Sequence, residues 1–199
     1  MPVRWIPGSE SCANSYVAGD ILVDAGVTPM AVAEFRDRVE WVVLTHCHFD
    51  HTAHLAEIAR MCDAQVAIHE RDAPGLSDDR GSLAMIFGGR SPEIVPDRLL
   101  TDGDRIGAFE VLATPGHTPG SICLLHREEP VLISGDTVFT DGGFGRTDFP
   151  GGDSAALRAS LARLADLRVE ELYPGHGMPV TEGGSRHIRA ARAVADQWL

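Results

Sequence analysis

The chain has 199 residues, 44% of them hydrophobic, and a formal net charge of -12. That length and apolar content suit one domain over residues 1–199 with a sizeable core. The acidity argues against nucleic acid or an anionic membrane surface as partner, since both call for basic patches, and no run of Lys or Arg is present. The first eight residues, Met-Pro-Val-Arg-Trp-Ile-Pro-Gly, lack the charged start and apolar core of a signal peptide, and no apolar run approaches the length of a bilayer span. A cytoplasmic protein is the expectation. The four cysteines, Cys12, Cys47, Cys62 and Cys123, form no CxxC pair and read as reduced, mostly buried thiols.

In chain order, residues 15–18 and 21–24 read as a hairpin around Gly19-Asp20. Thr28-Pro29 is a helix start, and the spacing predicts a helix continuing over 30–38. Residues 39–44 form an apolar strand. Leu55, Ile58, Ala59 and Cys62 lie at helical spacing within a predicted helix over 52–62, and a short strand follows at 65–69. Between 70 and 98 the pattern weakens into a long connection with a helical turn expected near 82–87, and a lid over a site is conceivable there. Strands are predicted at 105–114, 121–126, 130–134 and 169–173. Asp153 is placed to cap a helix with Leu157, Leu161 and Leu164 in one stripe, and 184–199 reads as a terminal helix with Ile188, Ala191, Val194 and Trp198 inward.

The densest chemistry is at residues 45–54, Thr-His-Cys-His-Phe-Asp-His-Thr-Ala-His. Side chains two apart in an extended chain point to the same side, so His46 and His48 can grip one ion while Cys47 faces away. Asp50 and His51 fall where the chain leaves the strand and can hold a second. Buried imidazole and carboxylate are costly unless paired or metal-bound, so the cluster reads as a ligand set. Three later turns repeat the arrangement of a metal-type residue just after a strand, at Pro115-Gly116-His117, Gly135-Asp136 and Pro174-Gly175-His176. Each alone is an ordinary turn. Together they supply seven candidate ligands at the ends of four strand-like segments.

On these residues the chain resembles the metallo-β-lactamase superfamily, from about Tyr16 to His176. Gly145-Arg146-Thr147-Asp148-Phe149 further resembles its glyoxalase II branch and the related persulfide dioxygenases. The resemblance implies an α/β (α+β) fold, a four-layer αββα sandwich of two mixed sheets flanked by helices. It implies a first metal held by His46, His48 and His117, a second by Asp50, His51 and His176, and Asp136 bridging them. Two divalent ions, Zn first with Fe or Mn as alternatives, would share a hydroxide formed near neutral pH and stabilise an oxyanion. Asp50 would also orient that hydroxide. The implied reaction is hydrolysis of a small-molecule thioester of the S-D-lactoylglutathione (hydroxyacylglutathione) type, with Arg146 as a cation for a substrate carboxylate. The alternative is a mononuclear-iron persulfide dioxygenase acting on glutathione persulfide, with His46, His117 and Asp136 on the iron.

Two departures from the branch stand out. Little more than one helix follows His176, whereas full-length glyoxalase II enzymes carry a helical extension that binds glutathione, so the chain resembles the short, single-domain form. Ala53-His54 stands where small residues, often glycines, are usual, and His54 is expected to be a partly exposed bystander. His69, His126 and His187 read as structural or surface residues.

Overall fold

The computed structural model describes residues 2–9 and 11–199. They form two compact units, Met1–Leu100 and Thr101–Leu199.

The first unit is built on a six-stranded mixed sheet. Strands β1 (Arg4–Ile6), β2 (Ser15–Ala18) and β3 (Ile21–Val23) are antiparallel neighbours, with the expected turn at Gly19-Asp20. Strands β4 (Trp41–Val43), β5 (Gln65–His69) and β6 (Arg98–Leu100) follow, each parallel to the one before. β3 has all its residues buried, and β4 and β5 all but their first, the continuous apolar signature of parallel strands covered on both faces. β6 is a strand the composition of 70–98 concealed. Helix α3 (Leu55–Cys62) lays Leu55 and Ile58 into a core with Val17, Leu22, Val42, Val66 and Ile68.

Two predicted helices of this unit are shorter than expected. The helix over 30–38 is one turn, α1 (Pro29–Val32), followed by a 3-10 turn at Ala33–Phe35. Val32 is its one fully buried side chain, so packing gives little reason for a longer helix. The helix over 52–62 is divided into α2 (Phe49–Thr52) and α3, with the break at Ala53-His54. Here the carbonyls of Asp50 and His51 accept from the backbone N–H groups of Ala13 and Ala25, at 3.0 and 2.8 Å, instead of continuing a helical ladder. Within the long connection a 3-10 helix spans Ala73–Ser77, and the expected turn forms with Ile86 N–H donating to Leu83 O and Phe87 N–H to Ala84 O.

The second unit carries a five-stranded mixed sheet in the order β11-β10-β9-β8-β7. Strands β7 (Arg105–Ile106), β8 (Phe109–Ala113), β9 (Ile122–His126) and β10 (Val131–Gly135) are successively antiparallel. A crossover through α4 (Ser154–Ala165) brings β11 (Glu171–Pro174) parallel to β10. Asp153 caps α4 as predicted, its carboxylate accepting from Ala156 N–H at 3.0 Å. Leu157, Leu161 and Leu164 pack with Leu125, Leu132 and Leu172.

The closing helix α5 (Gly184–Trp198) corrects the predicted inner face. Ile188 and Ala191 are buried, but Val194 is half-exposed and Trp198 is 78% exposed. Gly184, His187 and Ala195 complete the buried stripe; Val194 lies at its edge, and Trp198, although in phase with it, is the last residue of the helix and stays exposed. Leu199 packs on the core instead. Two mixed sheets, each with its own helices, are the α/β architecture expected. Among the described residues no helix is long and apolar enough to cross a membrane.

Candidate metal centre

In the first unit, β4 ends three residues before His46, and the chain runs through His48 into α2, which carries Asp50 and His51. His46, His48 and His51 are buried and Asp50 is partly exposed. His46 Nε2 and His48 Nδ1 stand 3.1 Å apart, and His51 Nε2 lies 3.8 Å from Asp50 Oδ2. The rings of His46 and His51 are also close, with centroids 4.1 Å apart, so the four residues form one continuous cluster.

In the second unit, His117, Asp136 and His176 each stand on a turn just beyond β8, β10 and β11. Asp136 Oδ2 lies 3.6 Å from His117 Nε2 and 3.5 Å from His176 Nε2, so the carboxylate stands between the two imidazoles. Backbone and hydroxyl bonds tie these turns together. Gly175 N–H donates to Gly135 O at 2.8 Å, and the Thr114 and Thr137 hydroxyls bond at 2.7 Å. Each unit thus gathers metal-capable side chains of its own, His46, His48, Asp50 and His51 in the first and His117, Asp136 and His176 in the second.

The donor set fits divalent ions. Two nitrogens bound at about 2.05 Å with near-tetrahedral angles stand about 3.3 Å apart, and the within-unit separations bracket that value. The hydrogen bonds on the far sides of the rings agree. His51 Nδ1–H donates to Asp24 Oδ2 at 2.8 Å, and His117 Nδ1–H donates to Arg146 O at 2.7 Å. Thr45 Oγ1–H donates to Asp24 at 2.8 Å, so that hydroxyl oxygen accepts from His46 Nδ1–H at 3.1 Å. In all three rings the proton sits on Nδ1 and the lone pair on Nε2, the tautomer a metal needs.

Several residues that support the ligands were not marked by sequence reasoning. Asp24 is buried at the end of β3 and also accepts from Thr45 N–H at 2.8 Å. It has the signature that singled out Asp136, a carboxylate closing an apolar strand, and that signal could have found it. Its left-handed backbone, φ 60, shows that surrounding contacts hold it there. Asp72 is buried and accepts from Cys47 N–H at 3.0 Å, steadying the peptide between His46 and His48. Burial, reinforced by the Asp72 carboxylate, pushes the Cys47 thiol well above its ordinary range, so it is a protonated filler facing the core. Gly26 lets the Asp50 carbonyl come so close that a Cβ there would lie 1.9 Å from its oxygen.

Other residues named from the sequence make local side-chain contacts. The Arg146 guanidinium forks onto Asp148, with Nε to Oδ1 at 2.6 Å and Nη2 to Oδ2 at 2.5 Å, and lies 4.1 Å over the Phe149 ring. His54 is partly exposed, with Nδ1 3.1 Å from Glu57 Oε2. His69, His126 and His187 are buried, each accepting a backbone N–H at Nδ1, from Arg71, Glu129 and Asp141 respectively. They are structural.

Known proteins share this design. The "Probable metallo-hydrolase MJ0888" of Methanocaldococcus jannaschii is 34% identical over 83% of this chain and 87% of its own. The "Hydroxyacylglutathione hydrolase GloC" of Haemophilus influenzae is 33% identical over 76% of this chain and 75% of its own. The crystal structure of TTHA1623 in a di-iron-bound form is 34% identical, covers 87% of this chain and 91% of that one, and superposes with a TM-score of 0.77. A family model described as the metallo-beta-lactamase superfamily matches residues 13–176, a span that contains all seven donors. With that match, its helix-flanked mixed sheets and its buried histidine and aspartate donors, the chain belongs to the metallo-beta-lactamase superfamily.

Proposed function

We propose that this metal-dependent hydrolase cleaves a small-molecule thioester of the S-D-lactoylglutathione type in the cytoplasm, without nucleic acid or membrane as partner. Its ligands are His46, His48 and His117 for one ion and Asp50, His51 and His176 for another, with Asp136 between them. The observation that carries the reading is the gathering of donors, His46, His48, Asp50 and His51 in the first unit and a carboxylate flanked by two imidazoles in the second. When bound, two divalent ions, zinc or alternatively iron or manganese, supply the Lewis acidity that makes water a nucleophile near neutral pH and polarises an acyl oxygen.

The chain's own groups do the rest. Asp50 is the partly exposed carboxylate on α2, and it orients the attacking water and receives its proton. His176 is the most exposed of the donors in the second unit and leaves the acyl group a way in. A thiol leaving group, with a free pKa near about 8.5, departs without a strong acid, and this makes a thioester the natural substrate. Arg146 serves a substrate carboxylate by exchange with Asp148, two carboxylates competing for one planar fork. The similarity to a hydroxyacylglutathione hydrolase supports the choice of thiol carrier.

The test is metal content of the protein as purified, followed by anaerobic assay on S-D-lactoylglutathione. Two ions per chain, with hydrolysis lost to a chelator and restored by metal, is the expected result. One iron per chain with oxygen consumption on glutathione persulfide, and no thioester cleavage, overturns it in favour of a persulfide dioxygenase.

A further inference from the structure

Arg146 is the residue of the 145–149 turn proposed above to meet substrate, and the backbone of that turn touches two of the proposed metal donors. Gly145 N–H donates to the carbonyl of Asp136 at 2.9 Å. A Cβ on Gly145 would lie 2.2 Å from that carbonyl oxygen and 2.8 and 2.9 Å from Nδ1 and Cγ of the His117 ring. The next carbonyl, of Arg146, accepts from His117 Nδ1–H at 2.7 Å. One dipeptide thus touches two donors that lie 19 positions apart in sequence, holding the backbone of one and the ring of the other.

We propose that Gly145 is a positioning residue for the metal centre, seating the Asp136 carbonyl and the His117 imidazole against a surface that only an absent side chain provides. The proposal rests on the reading of His117 and Asp136 as metal ligands. Physically, a methyl group at 145 meets a backbone oxygen and an aromatic ring, neither of which can yield like the end of a flexible side chain. Relief comes from moving the ring off the Arg146 carbonyl or moving the 136 peptide. Either shift disturbs the 3.6 Å separation of His117 Nε2 from Asp136 Oδ2. Partners that orient ligands in this way are worth about 10- to 100-fold in metal affinity.

The experiment pairs Gly145→Ala with Gly152→Ala in the full chain. Gly152 lies in the same loop, and its Cβ would meet Thr147 O at 2.2 Å, an equal clash with no ligand among its nearest atoms. Metal stoichiometry and zinc affinity are measured by competition with a chromophoric chelator, alongside circular dichroism and thermal melts. The expected result is a zinc affinity reduced about 10-fold or more in Gly145→Ala, with Gly152→Ala binding like the parent however much its melt is lowered. Parent-like affinity in Gly145→Ala, or equal losses in both variants, overturns the proposal. Should Gly145→Ala fail to fold, nitrogen-15 histidine spectra of the parent decide. A His117 Nδ1–H proton protected from exchange supports the seat, and an Nε2–H tautomer at His117 overturns it. A parent protein that takes up no zinc would instead refute the functional reading itself.

Discussion

At the scale of single residues, the centre depends on what stands behind the donors. Asp24 accepts three hydrogen bonds, two from Thr45 and one from His51. Asp24→Asn keeps the shape but puts a donor where an acceptor is needed. It should lower metal affinity or turnover about 10- to 100-fold, read by metal titration and kcat. His54→Gly should leave metal content and most activity intact, since His54 engages Glu57 rather than a ligand; loss of metal in that variant would refute it. The thiols offer a separate check. Burial pushes Cys123 up to about 11, and its thiolate is scarce at pH 8 and grows only as pH nears that value. Cys47 is likewise buried, whereas Cys12 and Cys62 are partly exposed. Ellman's reagent at pH 8 should therefore label two thiols in the native protein and four after denaturation. The seven proposed ligands stand out in the sequence because histidines and aspartates gather in one stretch after an apolar strand and recur on turns just beyond three later ones. Asp24 shares that pattern but not the company of histidines, and Gly145 and Gly26 act through atoms they lack. Neither glycine leaves a trace in composition.

At the scale of elements, local signals predict well where packing agrees with them. The α4 helix is legible because Asp153 and the leucine stripe specify both its start and its buried face. Asp153→Ala should cost about 0.5–2 kcal/mol of stability through the lost cap. Leu161→Ala should cost about 2–5 kcal/mol through the cavity it leaves in a fully buried site, with both read from denaturant melts. The division of α2 from α3 is not legible, because its cause is hydrogen bonding to Ala13 and Ala25, dozens of positions upstream. β6 escapes notice for a similar reason. Its three residues follow a polar stretch and become a strand only because β5 offers a parallel partner. Helix α5 shows the remaining kind of error: Val194 lies at the edge of the buried stripe and Trp198 at the helix end, and hydrophobicity alone read both as inward.

At the scale of the whole molecule, the ligands proposed above run from residue 46 to residue 176, so metal bound by them would be coupled to folding. A metal that binds the native chain and not the unfolded one should stabilise it by about 2.7 kcal/mol at a hundredfold excess over its Kd. The melting temperature should accordingly rise with added zinc and fall on chelation. A melt indifferent to both would contradict a metal centre. The sheets themselves end modestly. Their outermost strands, β1, β6, β7 and β11, are three, three, two and four residues long. The flank of β11 is also covered by Val180, which exchanges two backbone hydrogen bonds with Leu172. Rims so short present few open amide groups to a stray chain. Templated growth into fibrils therefore has almost no starting ledge on the folded protein, and would have to begin from opened molecules.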